Sequence, residues 1–150
     1  MALVDFHNES SAHLYEAYRG LREKRPDSSW AEIAERMLEV LPHLEKVCAS
    51  ADVWGLLSHY RLCLLSRRDY RSRPHVVVFA GPGGYMIRYQ MTSADAPFPN
   101  AIVEGATTNV EEAAQYVAIA IDRSGGWSSY ESRLQDEWSS RRGDPIDWKF

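Results

Sequence analysis

The sequence predicts an α+β protein: a helical N-terminal half packed on a small antiparallel sheet of three or four strands, followed by two helices. Three observations carry this. Apolar residues recur at helical spacing through residues 1–73. From His75 onward, β-branched and alternating runs surround a Gly-Pro-Gly-Gly turn. A mostly apolar stretch from Val110, opened by two glutamates, then resumes the helical period. No internal repeat, low-complexity tract or long linker divides the chain. One domain over 1–150 is therefore expected, with 1–73 as its helical part, 75–127 as a β-β-β-α core and 128–150 as a C-terminal helix and docking tail.

In chain order, a first helix fits 9–24, with Leu14, Ala17, Tyr18 and Leu21 on one face. Ser29 and Glu32 form a capping-box pattern for a second helix, striped by Trp30, Ile33, Ala34, Met37, Leu38 and Leu41. Pro42 can occupy the first turn of a short third segment. A fourth helix over 51–66 is expected from Val53, Leu56, Leu57, Tyr60 and Leu64, and Pro74 imposes an extended approach to the first strand. Val76 to Phe79 reads as a strand covered on both faces. Gly81-Pro82-Gly83-Gly84 joins it as a hairpin to an alternating strand with Tyr85, Ile87, Tyr89 and Met91 on one face and Met86, Arg88 and Gln90 on the other. A third strand spans 101–105, and Asn109 caps a helix over 110–123 whose acidic first turn suits the helix dipole. That helix is apolar around most of its girth, so it is expected to be sandwiched, within the domain or against a second copy. After Gly125-Gly126, Ser128 and Glu131 form a second capping-box pattern for a helix bearing Tyr130, Leu134 and Trp138, and the tail Ile146 to Phe150 alternates apolar and polar residues.

At 45% hydrophobic and 25% charged residues, the composition is that of a folded globular chain. No apolar run approaches the length that crosses a bilayer, and the N-terminal residues lack the basic and apolar regions of a secretory signal. Cys48 and Cys63, both in helical pattern, make no disulfide framework, which points to a cytoplasmic protein. The net charge of −4 argues against nucleic acid as a partner, yet the charge is uneven: five arginines between Arg61 and Arg73 against Asp69 make that segment +4.

Residues with chemical potential do not assemble into a catalytic pattern. His43, Cys48, His59 and Cys63 are zinc-ligand types at spacings unlike the tight-turn finger patterns, so no metal is expected. The Gly-Pro-Gly-Gly turn lacks a following Lys-Ser/Thr and joins two strands, so it reads as a turn rather than a phosphate loop. No Gly-x-Ser-x-Gly elbow occurs, and Glu111-Glu112 diverge around a helix. No catalytic residue and no cofactor are expected. The binding candidates are Arg67, Arg68, Tyr70, Arg71 and Arg73 in the arginine cluster, Arg88 and Gln90 on the wet strand face, and Phe98, flanked by Pro97 and Pro99, as a partner anchor.

The strand–hairpin–strand–helix order, with Gly105 and then Val110-Glu111-Glu112-Ala113, resembles the small sheet module of HicB-type antitoxins over about a third of the chain. The family's Pro-Gly-Cys segment is absent here, and the N-terminal half has no counterpart. The expected function is a non-catalytic cytoplasmic protein-binding module of the immunity, antitoxin or adaptor kind, with another protein as partner and a homodimer as a second assembly. Two alternatives stand beside it: a nucleic-acid- or small-molecule-responsive regulator using the arginine cluster, and an enzyme with dispersed catalytic residues.

Overall fold

The structure, a computed structural model, describes residues 3–7, 10–69 and 75–128. It is an α+β fold built on six strands: β1 (Leu3–Asp5), β2 (Val53–Ser58), β3 (Arg61–Leu65), β4 (Val76–Gly81), β5 (Gly84–Gln90) and β6 (Ile102–Thr107). Their spatial order follows the chain order. β1 runs parallel to β2, and every later pair is antiparallel. Helices α1 (Ala12–Lys24) and α2 (Ser29–Val47) precede β2, and α3 (Val110–Arg123) follows β6.

The sheet is thus larger than the three or four strands expected, and only the first fifty residues are mainly helical. The expected fourth helix over 51–66 is the β2–β3 hairpin. Its residues are apolar on both faces of a ribbon: Leu62 and Leu64 join the cluster under the helices, while Cys63 and Leu65 pack on the opposite side. A helical stripe through Val53, Leu56, Leu57 and Leu64 leaves Trp54, Leu62, Cys63 and Leu65 unexplained; a strand pair buries them all. The connecting turn is His59-Tyr60, both in the left-handed region with φ of 52° and 63°. Two-residue hairpin turns require that geometry and usually obtain it with Asn or Gly, so the turn has no marker in the sequence. Contacts hold it instead: the Tyr18 hydroxyl donates to the Tyr60 carbonyl at 2.9 Å, and the Trp30 and Tyr60 rings meet edge-on at 5.6 Å. Cys63 therefore lies on a strand, not in a helix.

Two local expectations also change. Ser28, not Ser29, precedes the first turn of α2, and its hydroxyl donates back to the Arg25 carbonyl at 2.8 Å rather than capping the helix. Pro42 lies inside α2 and starts no new segment. It is on the solvent side while Leu41 and Leu44 are fully buried, and their packing holds the helix through the missing backbone donor.

From β4 onward the sequence reading matches in detail. The β4–β5 hairpin turns at Pro82-Gly83, Tyr85 and Ile87 are buried, and α3 has the expected bounds, with the Asn109 side chain accepting from the Glu112 amide at 2.9 Å. α3 is not sandwiched, however: Ala113, Ala114, Val117 and Ala120 are buried, while Ile119 stays 48% exposed. The expected helix at Tyr130, Leu134 and Trp138 and the tail lie outside the described residues.

All three helices cover one face of the sheet. α1 packs on β1 and α2; α2 lies over β4; α3 lies over β4, β5 and β6. Close approach is needed where β2 passes under α1: a Cβ at Gly55 would stand 3.1–3.3 Å from Leu62, Leu14 and Leu3. The Tyr85 hydroxyl donates to the Arg36 carbonyl at 2.9 Å and so ties β5 to α2.

His75, at the start of β4, is 5% exposed, beside the Trp127 ring and so near Gly126 that any Cβ there would overlap the imidazole. Burial, with a smaller contribution from Arg67, lowers its pKa from the ordinary 6.5 to about 4. The folded chain then binds fewer protons than the unfolded chain between these values. The stability that depends on neutral His75 is complete above pH 6.5 and is lost as pH falls toward 4. Denaturant titrations at pH 7.5 and 4.5 are predicted to show a loss of up to about 3 kcal/mol from this group, and His75→Gln removes that part of the pH dependence.

Candidate functional site: an open sheet edge and its flanking surfaces

Because each hairpin reverses the chain, the β3–β4 connection, the β5–β6 loop and the end of α3 gather at one end of the sheet. The β5–β6 loop is shaped by its own bonds. The Ala96 amide donates to the Thr92 carbonyl at 2.9 Å, the Thr92 hydroxyl donates to the Asp95 carboxylate at 3.1 Å, and the Met91 amide donates to the Ala101 carbonyl at 2.9 Å. The Gln90 amide donates to the Asn100 side-chain oxygen at 3.2 Å. Held this way, the loop presents Phe98 to solvent, 64% exposed.

β6 is the outermost strand on this side, with β5 on its inner side and no described strand on its outer side. On the face away from the helices, Ile102 is 41% exposed and Glu104 accepts from the Arg88 guanidinium. Arg88 in turn lies 4.9 Å from the centre of the Phe79 ring, and Arg61 lies 5.1 Å from the same ring. Phe79 thus carries two guanidinium groups, a cation–π arrangement on a partly wet surface. On the helix side, a groove of about 170 Å³ runs between α3 and the strand edge, lined by Ile87, Tyr89, Val103, Tyr116 and Ile119, with Arg123 and Glu104 at its rim. Gly105 allows it: a Cβ there would stand 3.3 Å from the Tyr116 ring. The Tyr116 hydroxyl donates to the Glu112 carboxylate at 3.1 Å, a bond that raises the phenol pKa and fixes the ring.

The predicted site residues are distributed unevenly over this region. Gln90 and Phe98 share one end of the sheet, and Arg88 lies one step up the same strand face. Arg67 and Arg68 occupy the β3–β4 connection, two strands away, where Arg68 donates to the Phe6 carbonyl at 2.8 Å and ties the β1 segment to the hairpin. Arg61 opens β3, so the arginine cluster is not a helix end as read. Tyr70, Arg71 and Arg73 lie outside the described residues. Sequence reasoning missed Ile102, Tyr116 and Ile119. Their one signal was the surplus of apolar positions on α3.

Groups capable of chemistry elsewhere are occupied structurally. The Cys48 and Cys63 thiols are pushed up to about 12, mainly by burial, so neither is a ready nucleophile. The Glu45 carboxylate accepts from Ser11 and from Tyr15 at 2.7 Å, joining α1 to α2, and burial with this bond raises the Tyr15 pKa. A cleft of about 450 Å³ beside the ends of α2 and α3 has Asp122 as its one ionisable side chain among the described residues. Among those residues no three potential ligands cluster for a metal, and no helix is long and apolar enough to cross a membrane. No family model, curated protein or solved structure matches the chain.

Exposed apolar side chains at a binding edge contribute little to folding. Phe98→Ala and Ile119→Ser are each predicted to shift unfolding free energy by under about 0.5 kcal/mol, whereas the buried control Met37→Ala costs about 2–5 kcal/mol, as read by denaturant titration. A destabilisation by Phe98→Ala of the control's size would show that the loop is part of the core.

Proposed function

We propose that the protein is a non-catalytic, cytoplasmic protein-binding module that receives an extended segment of its partner along β6. One observation carries this reading: the edge strand has no outer neighbour among the described residues, and exposed apolar side chains flank it on both sides, Ile102 and Phe98 on one, Ile119 above the groove on the other. Strand addition takes affinity from the unused main-chain donors and acceptors and specificity from alternate side chains. Here alternate partner residues would meet the Arg88–Glu104 surface and the apolar groove. A net charge of −4 favours a basic partner, as suits an immunity protein, antitoxin or adaptor. The unbridged, buried thiols of Cys48 and Cys63 accord with a reducing compartment.

Affinity purification from the native host is predicted to recover a stoichiometric partner, and Ile102→Lys with Ile119→Lys to weaken that complex at least about tenfold while leaving the fold intact. Repeated recovery of the chain alone, or undiminished binding by the double variant, contradicts the proposal. A second reading rests on Phe79 between Arg61 and Arg88, a platform of the kind that stacks an unpaired base. Binding of a single-stranded oligonucleotide that weakens steeply with salt, and is lost in Phe79→Ala, selects that reading over the first.

A further inference from the structure

We infer that residues 129–150 fold back over the outer face of β2, β3 and β4 and close it. The three helices all lie on the opposite face, and no described element crosses this one. Yet Cys63 and Val77 are 1% exposed and Leu65 is 0% exposed, with Trp54, Leu56 and Phe79 packed around them. The Trp54 indole nitrogen is also buried there, with no acceptor among the described residues. A buried donor and three buried apolar side chains on a face without a described cover call for an apolar cover that brings an acceptor.

The chain's exit point suits residues 129–150 to that role. The Trp127 indole donates to the Asp52 carbonyl at 2.8 Å, and the Ser128 amide donates to Gly125 at 2.9 Å. The chain is therefore released beside the start of β2, two residues before Trp54. Three strands span about 10 Å across the sheet, and a helix of a dozen residues is about 18 Å long, so the 22 remaining residues suffice. Tyr130, Leu134 and Trp138 recur at four-residue steps and give such a helix one apolar face, followed by Ile146, Trp148 and Phe150. Tethering makes the contact intramolecular, at an effective concentration in the millimolar range. This cover leaves β6 untouched and does not depend on the binding role proposed for it.

Cys63 reports on the cover, and Cys48, under the helices, is the internal control. In the full-length chain both thiols should react slowly with an aromatic disulfide reagent, at rates independent of protein concentration. Leu134→Asp with Trp138→Asp should accelerate Cys63 by about tenfold or more and leave Cys48 unchanged. An unchanged Cys63 rate overturns the inference, and so does protection that grows with protein concentration, which would assign the face to a second copy. If both thiols accelerate, the variant has lost the fold and hydrogen exchange on the unaltered chain decides. Protected amides across 130–138 support the cover, and immediate exchange there overturns it.

Discussion

The burial of α2 is the constraint on which the rest of the structure depends. Ala31, Ala34, Met37, Val40, Leu41 and Leu44 are all buried on this helix, and it touches α1, α3 and β4 together. Each of its fully buried leucine or methionine side chains contributes about 1.5–3 kcal/mol of apolar transfer, set against the entropy of ordering the chain. Val76, Val78 and Ala80 supply the matching surface on β4, and Tyr85 adds a hydrogen bond to the α2 backbone. With α2 over the middle of the sheet, α1 is confined to the β1–β2 side and α3 to the β5–β6 side. All three helices then occupy one face.

That one-sidedness produces the features that bear on function. The outer face of β2, β3 and β4 is apolar and buried, whereas β6 ends the sheet with alternating exposure along its length. An uncovered edge is a hazard that proteins usually blunt with charge, proline or brevity. β6 has six residues, one charged side chain, Glu104, and two prolines in the preceding loop, so it is only partly protected. The exposed isoleucines beside it add an attraction for apolar side chains. An edge left in this condition is best explained by a partner that pairs with it.

The legible and illegible parts of the sequence differ for physical reasons. β4, β5, β6 and α3 were readable because their signals are local: a glycine-rich turn, strict alternation, and an asparagine cap followed by glutamates. The β2–β3 hairpin was not, because its turn uses His59 and Tyr60 in the left-handed region and its strands are apolar on both faces, which a helical stripe imitates. Pro42 misled in the opposite sense, since tertiary packing of Leu41 and Leu44 overrode a strong local signal. Of the site, Phe98 was visible from its flanking prolines. The groove was not, because it depends on Gly105 lying against Tyr116, a contact between β6 and α3 that no spacing encodes.

The central claim is that β6 presents an unpaired edge. Residue-resolved amide hydrogen exchange of the free protein at low concentration tests it most directly. The account predicts slow exchange throughout β4 and alternating fast and slow exchange along β6, with the fast amides becoming protected when the partner binds. Uniform protection of every β6 amide in the free monomer would show that the edge is already occupied, and would contradict the account.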